Sequence, residues 1–216
     1  MRSPAPLWLF LTFLPLTGIT AQSIDNTQVH AFVVSDEPHH KSSLHEHSMN
    51  RVMIYLDPGH QKITYPNGKV EDIKLKAGEV RWSPASGSHT SENVGDKPFR
   101  IVEVELKTKS AGGSVNDDAL DPVKADPKRY KIEFENQQVR VLRVRYGPHD
   151  KGLLHKHTMN RVVAYLTDQW LRVTTADGKT EELRRKAGEV SWGGPSEHVE
   201  ENLSDQPFEV VVVELK

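Results

Sequence analysis

The sequence contains no cysteine among its 216 residues. This absence excludes disulfide bridges and thiolate nucleophiles, even in an oxidising compartment where bridges could form. It also removes the sulfur donors that many zinc and iron sites use, so any metal ion must be held by nitrogen or oxygen atoms.

The sequence also lacks an excess of charge of either sign. It has 28 Lys and Arg residues against 30 Asp and Glu residues, a formal net charge of −2, and the two signs are interspersed along the chain. Proteins that bind nucleic acid need a basic stripe to neutralise phosphates. We therefore exclude nucleic acid as a partner. Apolar residues make up 36% of the chain and charged residues 27%, which is typical of a water-soluble globular protein.

No apolar run is long enough to cross a bilayer, which takes about 20 residues. The longest run, Leu7 to Ile19, has about 13 residues and follows Arg2. A short apolar run of this kind, ending in small residues, is typical of an export signal. We expect residues 1–21 to be a signal peptide cleaved after Ala21, and the mature protein to be periplasmic or secreted with no membrane segment. An uncleaved membrane anchor is the alternative.

An internal repeat divides the rest of the chain. The stretch LHEHSMNRV at 44–52 returns as LHKHTMNRV at 154–162, and KAGEVRW at 76–82 returns as KAGEVSW at 186–192. Each copy also carries a hairpin dipeptide, Asn-Gly in the first and Asp-Gly in the second, and these residues tolerate a positive φ. The repeat therefore predicts two copies of one folding unit.

Each copy consists of short β-branched runs between turns, without sustained helical periodicity. This pattern predicts an all-β fold made of two units, each a small barrel or sandwich. We expect a first domain at 24–107, a linker rich in Gly, Ser, Asp and Pro at 108–128, and a second domain at 129–216. One face of the last strand in each copy alternates apolar residues and is expected to be core: Val102, Val104 and Leu106, then Val211, Val213 and Leu215.

Two sets of histidines and small residues recur at fixed spacing. The first set is His45-x-His47, repeated as His155-x-His157. The second set consists of Gly78, Pro84, Gly87, His89 and Asn93, repeated with altered spacing as Gly188, Pro195, His198 and Asn202. Both sets resemble the two motifs of the cupin superfamily, G-x5-H-x-H-x3-4-E-x6-G and G-x5-P-x-G-x2-H-x3-N, in its two-domain bicupin form. The resemblance covers nearly the whole chain after the signal segment, and it implies two tandem cupin-type β-barrels (double-stranded β-helices) joined by a linker.

The sequence departs from the cupin pattern at a position that matters for metal binding. Cupins use the glutamate of the first motif as a metal ligand, and Arg51 and Arg161 hold that position here. The opening glycine is also replaced, by His39 and His149, which a loop at the barrel mouth explains. The remaining three histidines per domain resemble the sets of thiol and diketone dioxygenases, which hold iron with imidazoles alone. The resemblance thus implies these metal ligands: His45, His47 and His89, and His155, His157 and His198.

The His-x-His spacing has its own physical reason. Residues i and i+2 of a strand project to the same face, so the two imidazoles of each pair can converge on one point. The third histidine would complete the set from an adjacent strand. Three neutral imidazoles with open positions suit Fe, Mn, Ni, Cu or Zn better than Mg or Ca.

The arginines work against such a site if they point inward. At about 5 Å and an effective dielectric constant of about 20, a guanidinium repels a dication by about 6 kcal/mol. Apparent zinc affinities in structural sites are only about 10–16 kcal/mol. Either the arginine turns to the barrel rim and binds a carboxylate or phosphate, or it fills the space that a metal would take. Solvated surface charges and histidines that merely pack the barrel are the alternatives.

A pocket lined by these residues favours an anionic small-molecule ligand. The expected substrate-binding residues are Arg51, Arg161, Tyr55, Tyr165, Trp82 and Trp192, with barrel packing as the alternative for the two tryptophans. One hypothesis is a metal-dependent dioxygenase or isomerase that acts on a small anionic organic substrate. The other is a metal-free, non-catalytic module that binds an anion through Arg51 and Arg161. A structural role as a homo-oligomer, formed through exposed sheet edges, stays open as well.

Overall fold

The computed structural model describes residues 23–115 and 118–216, and these residues form antiparallel strands joined by turns and loops, with one short helix. The expected signal segment, residues 1–21, lies outside the described residues. In the described part of the first half, nine strands follow one another: β1 Ile24–Asp25, β2 Val29–Asp36, β3 His45–His47, β4 Arg51–Tyr55, β5 Gly59–Thr64, β6 Val70–Leu75, β7 Val80–Ser83, β8 Ser86–Asn93 and β9 Phe99–Leu106.

The described part of the second half repeats this order after one short helix. The elements are α1 Pro122–Ala125, β10 Tyr130–Glu135, β11 Val139–Tyr146, β12 His155–His157, β13 Arg161–Tyr165, β14 Gln169–Thr175, β15 Thr180–Arg185, β16 Val190–Gly193, β17 Ser196–Asn202 and β18 Phe208–Leu215. No helix among the described residues has the length and apolar character that spanning a membrane requires.

Each half folds into the same pair of sheets. In the first, a five-stranded sheet has the order β1-β2-β9-β4-β7 and a four-stranded sheet has the order β3-β8-β5-β6. The second half has the equivalent orders β10-β11-β18-β13-β16 and β12-β17-β14-β15. The prediction of an all-β fold with two tandem cupin-type barrels is therefore confirmed.

The two five-stranded sheets pack against each other through their outer faces. One apolar cluster contains Val52, Ile54 and Val104 from the first half together with Val162 and Val213 from the second. The predicted core face of the last strand is confirmed, because Val102, Val104, Leu106, Val211, Val213 and Leu215 all belong to this cluster. The cluster lies between the domains, and each barrel has a separate interior.

The opposite face of each last strand lines its own barrel. In β18 the alternate residues Phe208, Val210 and Val212 join the interior cluster of the second domain. A strand that is apolar on both faces reads as a continuous run, which explains the segment FEVVVVEL. In β9 the matching face carries Phe99 and Ile101.

The segment expected to be a linker packs partly on the second domain. The backbone N–H of Lys156 in β12 donates to the carbonyl of Leu120 at 2.8 Å. Asp121 caps α1 by accepting from the N–H of Val123 at 3.1 Å, and its carboxylate also pairs with Arg140. These contacts bring the segment directly against the strand that carries the second His-x-His pair.

Candidate metal centre

Strand pairing brings the three histidines of each domain together. The register places His45 opposite His89 and His155 opposite His198, and in each short strand the second histidine follows two residues later on the same face. In both domains the candidate ligand atoms of the three histidines lie within 4.8 Å of one another. The structure therefore assembles both sets that the sequence singles out.

The second-domain set is buried and closely spaced. Its ring centroids are separated by 5.2 Å (His155 to His157), 4.6 Å (His155 to His198) and 5.6 Å (His157 to His198). All three residues are buried. A shielded cluster of imidazoles of this kind can hold a first-row transition metal ion.

Hydrogen bonds orient each ring of this set through its Nδ1 atom. His155 Nδ1 lies 2.9 Å from the carbonyl oxygen of Leu153, and His157 Nδ1 lies 2.7 Å from Oε1 of Glu214. His198 Nδ1 lies 3.1 Å from Oγ of Ser196. A ring that donates from Nδ1 has its lone pair on Nε2, where a metal ion can bind; in His155 the hydroxyl of Tyr130 lies 3.0 Å from that nitrogen.

The protonation of the rings also fits a metal ion, because neutral imidazole is the ligand form. Burial lowers the pKa of His157 well below its ordinary value, and Arg161 lowers it further. Burial likewise lowers the pKa of His198 to about 4. Both rings are therefore neutral at pH 7, and the donor set of the second domain fits a first-row ion.

The first-domain set is similar in spacing but differs at one ring. Its ring centroids are separated by 4.9 Å (His45 to His47), 4.7 Å (His45 to His89) and 5.3 Å (His47 to His89). Nδ1 of His45 lies 2.8 Å from the carbonyl oxygen of Ser43. His47 is contacted by a guanidinium instead of a carboxylate. Nη1 of Arg51 lies 2.8 Å from its Nδ1 and 2.9 Å from its Nε2. A metal ion would have to displace this contact.

Arg51 is neutralised by a buried carboxylate. Its Nη1 lies 2.8 Å from Oε2 of Glu103, and its Nη2 donates to Oγ of Ser83 at 3.1 Å. Burial raises the pKa of Glu103, and Arg51 counteracts that rise. The ion pair and His47 form one polar cluster in the first barrel.

The hydrogen bonds of Arg161 go to the segment that joins β16 to β17, and its charge still lowers the pKa of His157 and His198. Its Nη2 donates to Oγ of Ser196 at 2.9 Å, and its Nη1 donates to the carbonyl of Gly194. Within residues 23–115 and 118–216, no carboxylate oxygen lies within 4.0 Å of Arg161, because Val212 stands where the first domain has Glu103. Burial lowers the pKa of Arg161, and the carboxylates of Glu200 and Glu214 only partly offset that effect.

Two residues beside the second triad were not singled out by sequence reasoning. The hydroxyl of Tyr130 donates to Oε2 of Glu200 at 2.8 Å and lies 3.0 Å from Nε2 of His155. Oε1 of Glu200 lies 3.8 Å from Nε2 of His198. Burial raises the pKa of Glu200, but His198, His155 and the Tyr130 hydroxyl outweigh it, so the net pKa lies below its usual range.

The sequence contained a signal for Glu200 but none for Tyr130. Glu200 follows His198 by two residues, so the rule that relates the two histidines of each pair also places it on the ligand face. Tyr130 comes from β10, and only the tertiary fold brings it to His155.

Each triad borders a cavity inside its own barrel. The second-domain cavity has a volume of about 290 Å³, and its polar walls include Arg161, Tyr165 and Glu200. Its apolar walls include Leu171 and Val210. The first-domain cavity has a volume of about 590 Å³ and is bordered by Arg51, Tyr55, Met53 and Trp82 among others.

The two tryptophans expected at the pocket have different surroundings. Trp82 pairs with Val52, and its ring centroid is 6.4 Å from that of Phe134 in the other domain. Trp192 pairs with Val162 and is 38% exposed. Both residues border the cavities as well. Tyr165 lies inside, where its hydroxyl is 2.8 Å from Oγ of Ser191.

His39 and His149 lie outside both triads. Both adopt a positive φ, 57° and 53°, at the position where the cupin motif has its opening glycine. Each ring meets an exposed carboxylate, Asp96 at 3.1 Å and Asp205 at 2.7 Å. These residues form matching surface loops in the two domains.

Solved structures provide the comparison for this architecture. No family model matches the sequence, and no curated protein matches it. A cupin 2 conserved barrel domain protein from Leptotrichia buccalis is 12% identical over 91% of this chain and 88% of that chain, with a TM-score of 0.55. Oxalate decarboxylase from Bacillus subtilis, in a structure described for its Mn(II) centres, is 12% identical over 90% of this chain and 75% of that chain, with a TM-score of 0.57.

A third solved structure has the same arrangement. Salicylate 1,2-dioxygenase from Pseudaminobacter salicylatoxidans is 8% identical over 90% of this chain and 75% of that chain, with a TM-score of 0.60. At these identities the likeness concerns the fold, which is shared across both domains.

Proposed function

From the bicupin fold of this chain, we propose that the protein is an exported, metal-dependent enzyme that oxidises or isomerises a small anionic organic substrate in its second domain. The observation that carries the proposal is the convergence of three imidazoles, each oriented through its Nδ1 atom, beside a buried guanidinium that has no carboxylate oxygen within 4.0 Å among the described residues. The first feature suits a metal ion and the second suits an anion.

The metal ion of this proposal is held by His155, His157 and His198. A donor set of three imidazole nitrogens is compatible with Fe, Mn, Ni, Cu or Zn. When bound, such an ion supplies Lewis-acid or oxygen-binding chemistry. The Mn(II) centres of the oxalate decarboxylase with the same fold support manganese as the first metal to test.

Arg161 is the proposed anchor for the substrate. A buried cation is costly, and a substrate carboxylate would add a direct partner to the charges of Glu200 and Glu214, which act on Arg161 from a distance. A guanidinium can also hold a carboxylate through two parallel hydrogen bonds, which fixes its orientation. Since Arg161 and two triad histidines, His157 and His198, line the same cavity, the carboxylate would be held next to the reacting centre.

Other side chains of the cavity have proposed roles in water exclusion and proton transfer. Leu171, Val173, Phe208 and Val210 give the cavity apolar walls. Tyr165, held by Ser191 at 2.8 Å, is a candidate proton donor to a substrate on Arg161.

The first domain supports a second candidate function, the binding of a small molecule without metal. The observation that favours it is the contact of Arg51 with both ring nitrogens of His47, which competes with metal binding. This pocket is the larger of the two triad cavities, and it carries Tyr55, Arg81 and Glu71 as further polar groups.

The test is an activity screen with metal-loaded protein. Purified protein loaded with Mn(II) or Fe(II) is incubated with small carboxylates, including oxalate and salicylate, in air, and substrate loss is followed by NMR. We expect turnover that His155→Ala abolishes and that Arg161→Gln weakens mainly through a raised KM. Arg145→Gln, which removes an exposed arginine of the same domain, is the matched control. Carboxylate binding that persists after chelation, with no turnover of any substrate, would instead support a non-catalytic binding module.

A further inference from the structure

We propose that Glu200 is a fourth ligand of the second-domain metal ion, an inference that rests on the proposed function. Glu200 and His198 lie two residues apart in β17, so both side chains project to the same face of the strand. Oε1 of Glu200 is 3.8 Å from Nε2 of His198. With metal–ligand bonds of about 2.1 Å, two donor atoms of one ion lie up to about 4 Å apart, so this separation allows both atoms to bind the same ion.

Tyr130 positions the carboxylate for this role. Its hydroxyl donates to Oε2 of Glu200 at 2.8 Å, which leaves Oε1 as the oxygen nearer His198. The same hydroxyl oxygen lies 3.0 Å from Nε2 of His155, the nitrogen that faces away from the Leu153 carbonyl. Tyr130 is almost completely buried, at 1% exposure, so it holds Glu200 at the edge of the triad.

The charge of the pocket supports the same assignment. A metal dication in the triad would lie close to Arg161, which has no carboxylate within 4.0 Å in the described part of the chain. Glu214 is already paired with Arg140 at 2.6 Å, so its charge is compensated. Glu200 is the carboxylate that lines the cavity beside the histidines, and it is hydrogen-bonded by a neutral phenol instead of a cation.

The first domain differs at the equivalent position. Ser91 stands where the second domain has Glu200, and its Oγ accepts a hydrogen bond from Gln61 at 2.8 Å. Glu103, whose carboxylate lies within 4.8 Å of the His47 ligand atom, is paired with Arg51. We therefore expect the second domain to bind metal more tightly than the first.

Mn(II) titration of the full chain, followed by EPR, tests this ligand. We expect Glu200→Gln to weaken Mn(II) binding by at least about tenfold, as the loss of a group that fixes a metal site does. The EPR line shape of bound Mn(II) should change as well. Glu200→Asp keeps the charge on a shorter side chain and should give an intermediate affinity. It also provides a second measurement if Glu200→Gln does not fold. Glu201→Gln, which changes the next residue and leaves the triad face intact, should bind Mn(II) as the unaltered protein does.

The outcomes separate this inference from the proposed function. If the unaltered protein and His198→Ala both fail to bind Mn(II), the metal site itself is wrong. If the unaltered protein binds Mn(II) and His198→Ala does not, the metal site is supported. If Glu200→Gln then binds Mn(II) with unchanged affinity and an unchanged EPR spectrum, Glu200 is not a ligand.

Discussion

His157 donates from Nδ1 to Oε1 of Glu214 at 2.7 Å, and both side chains are almost completely buried. The second oxygen of Glu214 accepts from Nε of Arg140 at 2.6 Å, and Nη1 of Arg140 donates to Asp121 at 2.6 Å. This buried chain of alternating charges runs from the segment before β10 to the candidate metal centre. It fixes the orientation of the His157 ring and raises its basicity as a ligand.

Replacing Glu214 with glutamine should therefore weaken metal binding. The expected loss is about 10- to 100-fold in affinity, because the ring loses its charged acceptor while its contacts in the barrel stay the same. Mn(II) titration by EPR measures this directly. Glu105→Gln is the matched control, since Glu105 holds the same place in the first domain and pairs with His30 at 3.2 Å. Equal losses in the two variants would contradict this role of Glu214.

The ion pair of Arg51 and Glu103 should stabilise the first domain only as a pair. Glu103→Ala leaves a buried guanidinium without a countercharge, which costs about 3–5 kcal/mol in free energy of unfolding. The double variant Arg51→Met with Glu103→Val copies the valine of the second domain, and it should recover most of that loss. Urea denaturation measures all three free energies. A double variant as unstable as Glu103→Ala would show that the charges themselves are not the cause.

Arg51→Met should also allow metal into the first domain. This change removes the guanidinium from both nitrogens of His47 and frees Glu103, whose carboxylate lies within 4.8 Å of the His47 ligand atom. We expect the Mn(II) stoichiometry to rise from one per chain toward two. Arg145→Met, at an exposed site, should leave it at one. An unchanged stoichiometry in Arg51→Met would mean that something other than Arg51 keeps metal out.

The interface between the domains should contribute as much to stability as a barrel interior. Ile54 is fully buried in the cluster shared by the two five-stranded sheets. Ile54→Ala should therefore lower the free energy of unfolding by about 2–5 kcal/mol. Ile132 is 47% exposed, and Ile132→Ala should change stability by no more than about 0.5 kcal/mol. A small effect at Ile54 would indicate that the domains do not depend on this contact.

The fold and the triads could be predicted because both rest on local rules. The repeat and the turn residues predict two all-β units, and the two-residue period of a strand predicts that His45 and His47 share a face. The apolar alternation of Val211 and Val213 also predicts burial. It does not say what covers the buried face, and the structure shows that the other domain does.

The parts that could not be predicted depend on pairing between distant strands. The repeat places Glu103 and Val212 at equivalent positions. Only the pairing of β4 with β9 reveals that Glu103 lies beside Arg51 and forms an ion pair with it, which Val212 cannot do for Arg161. Arg140, Glu214 and Asp121 meet because three segments pack together. His39 and His149 stand where the cupin motif has a glycine, and only the structure reveals that both keep a left-handed backbone with positive φ.

Inductively coupled plasma mass spectrometry of the purified, metal-supplemented protein shows directly whether the second-domain triad holds an ion. We expect one equivalent of a first-row metal per chain, which His155→Ala removes and His45→Ala leaves in place. No stoichiometric metal in the unaltered protein, or a loss in His45→Ala with retention in His155→Ala, would contradict it.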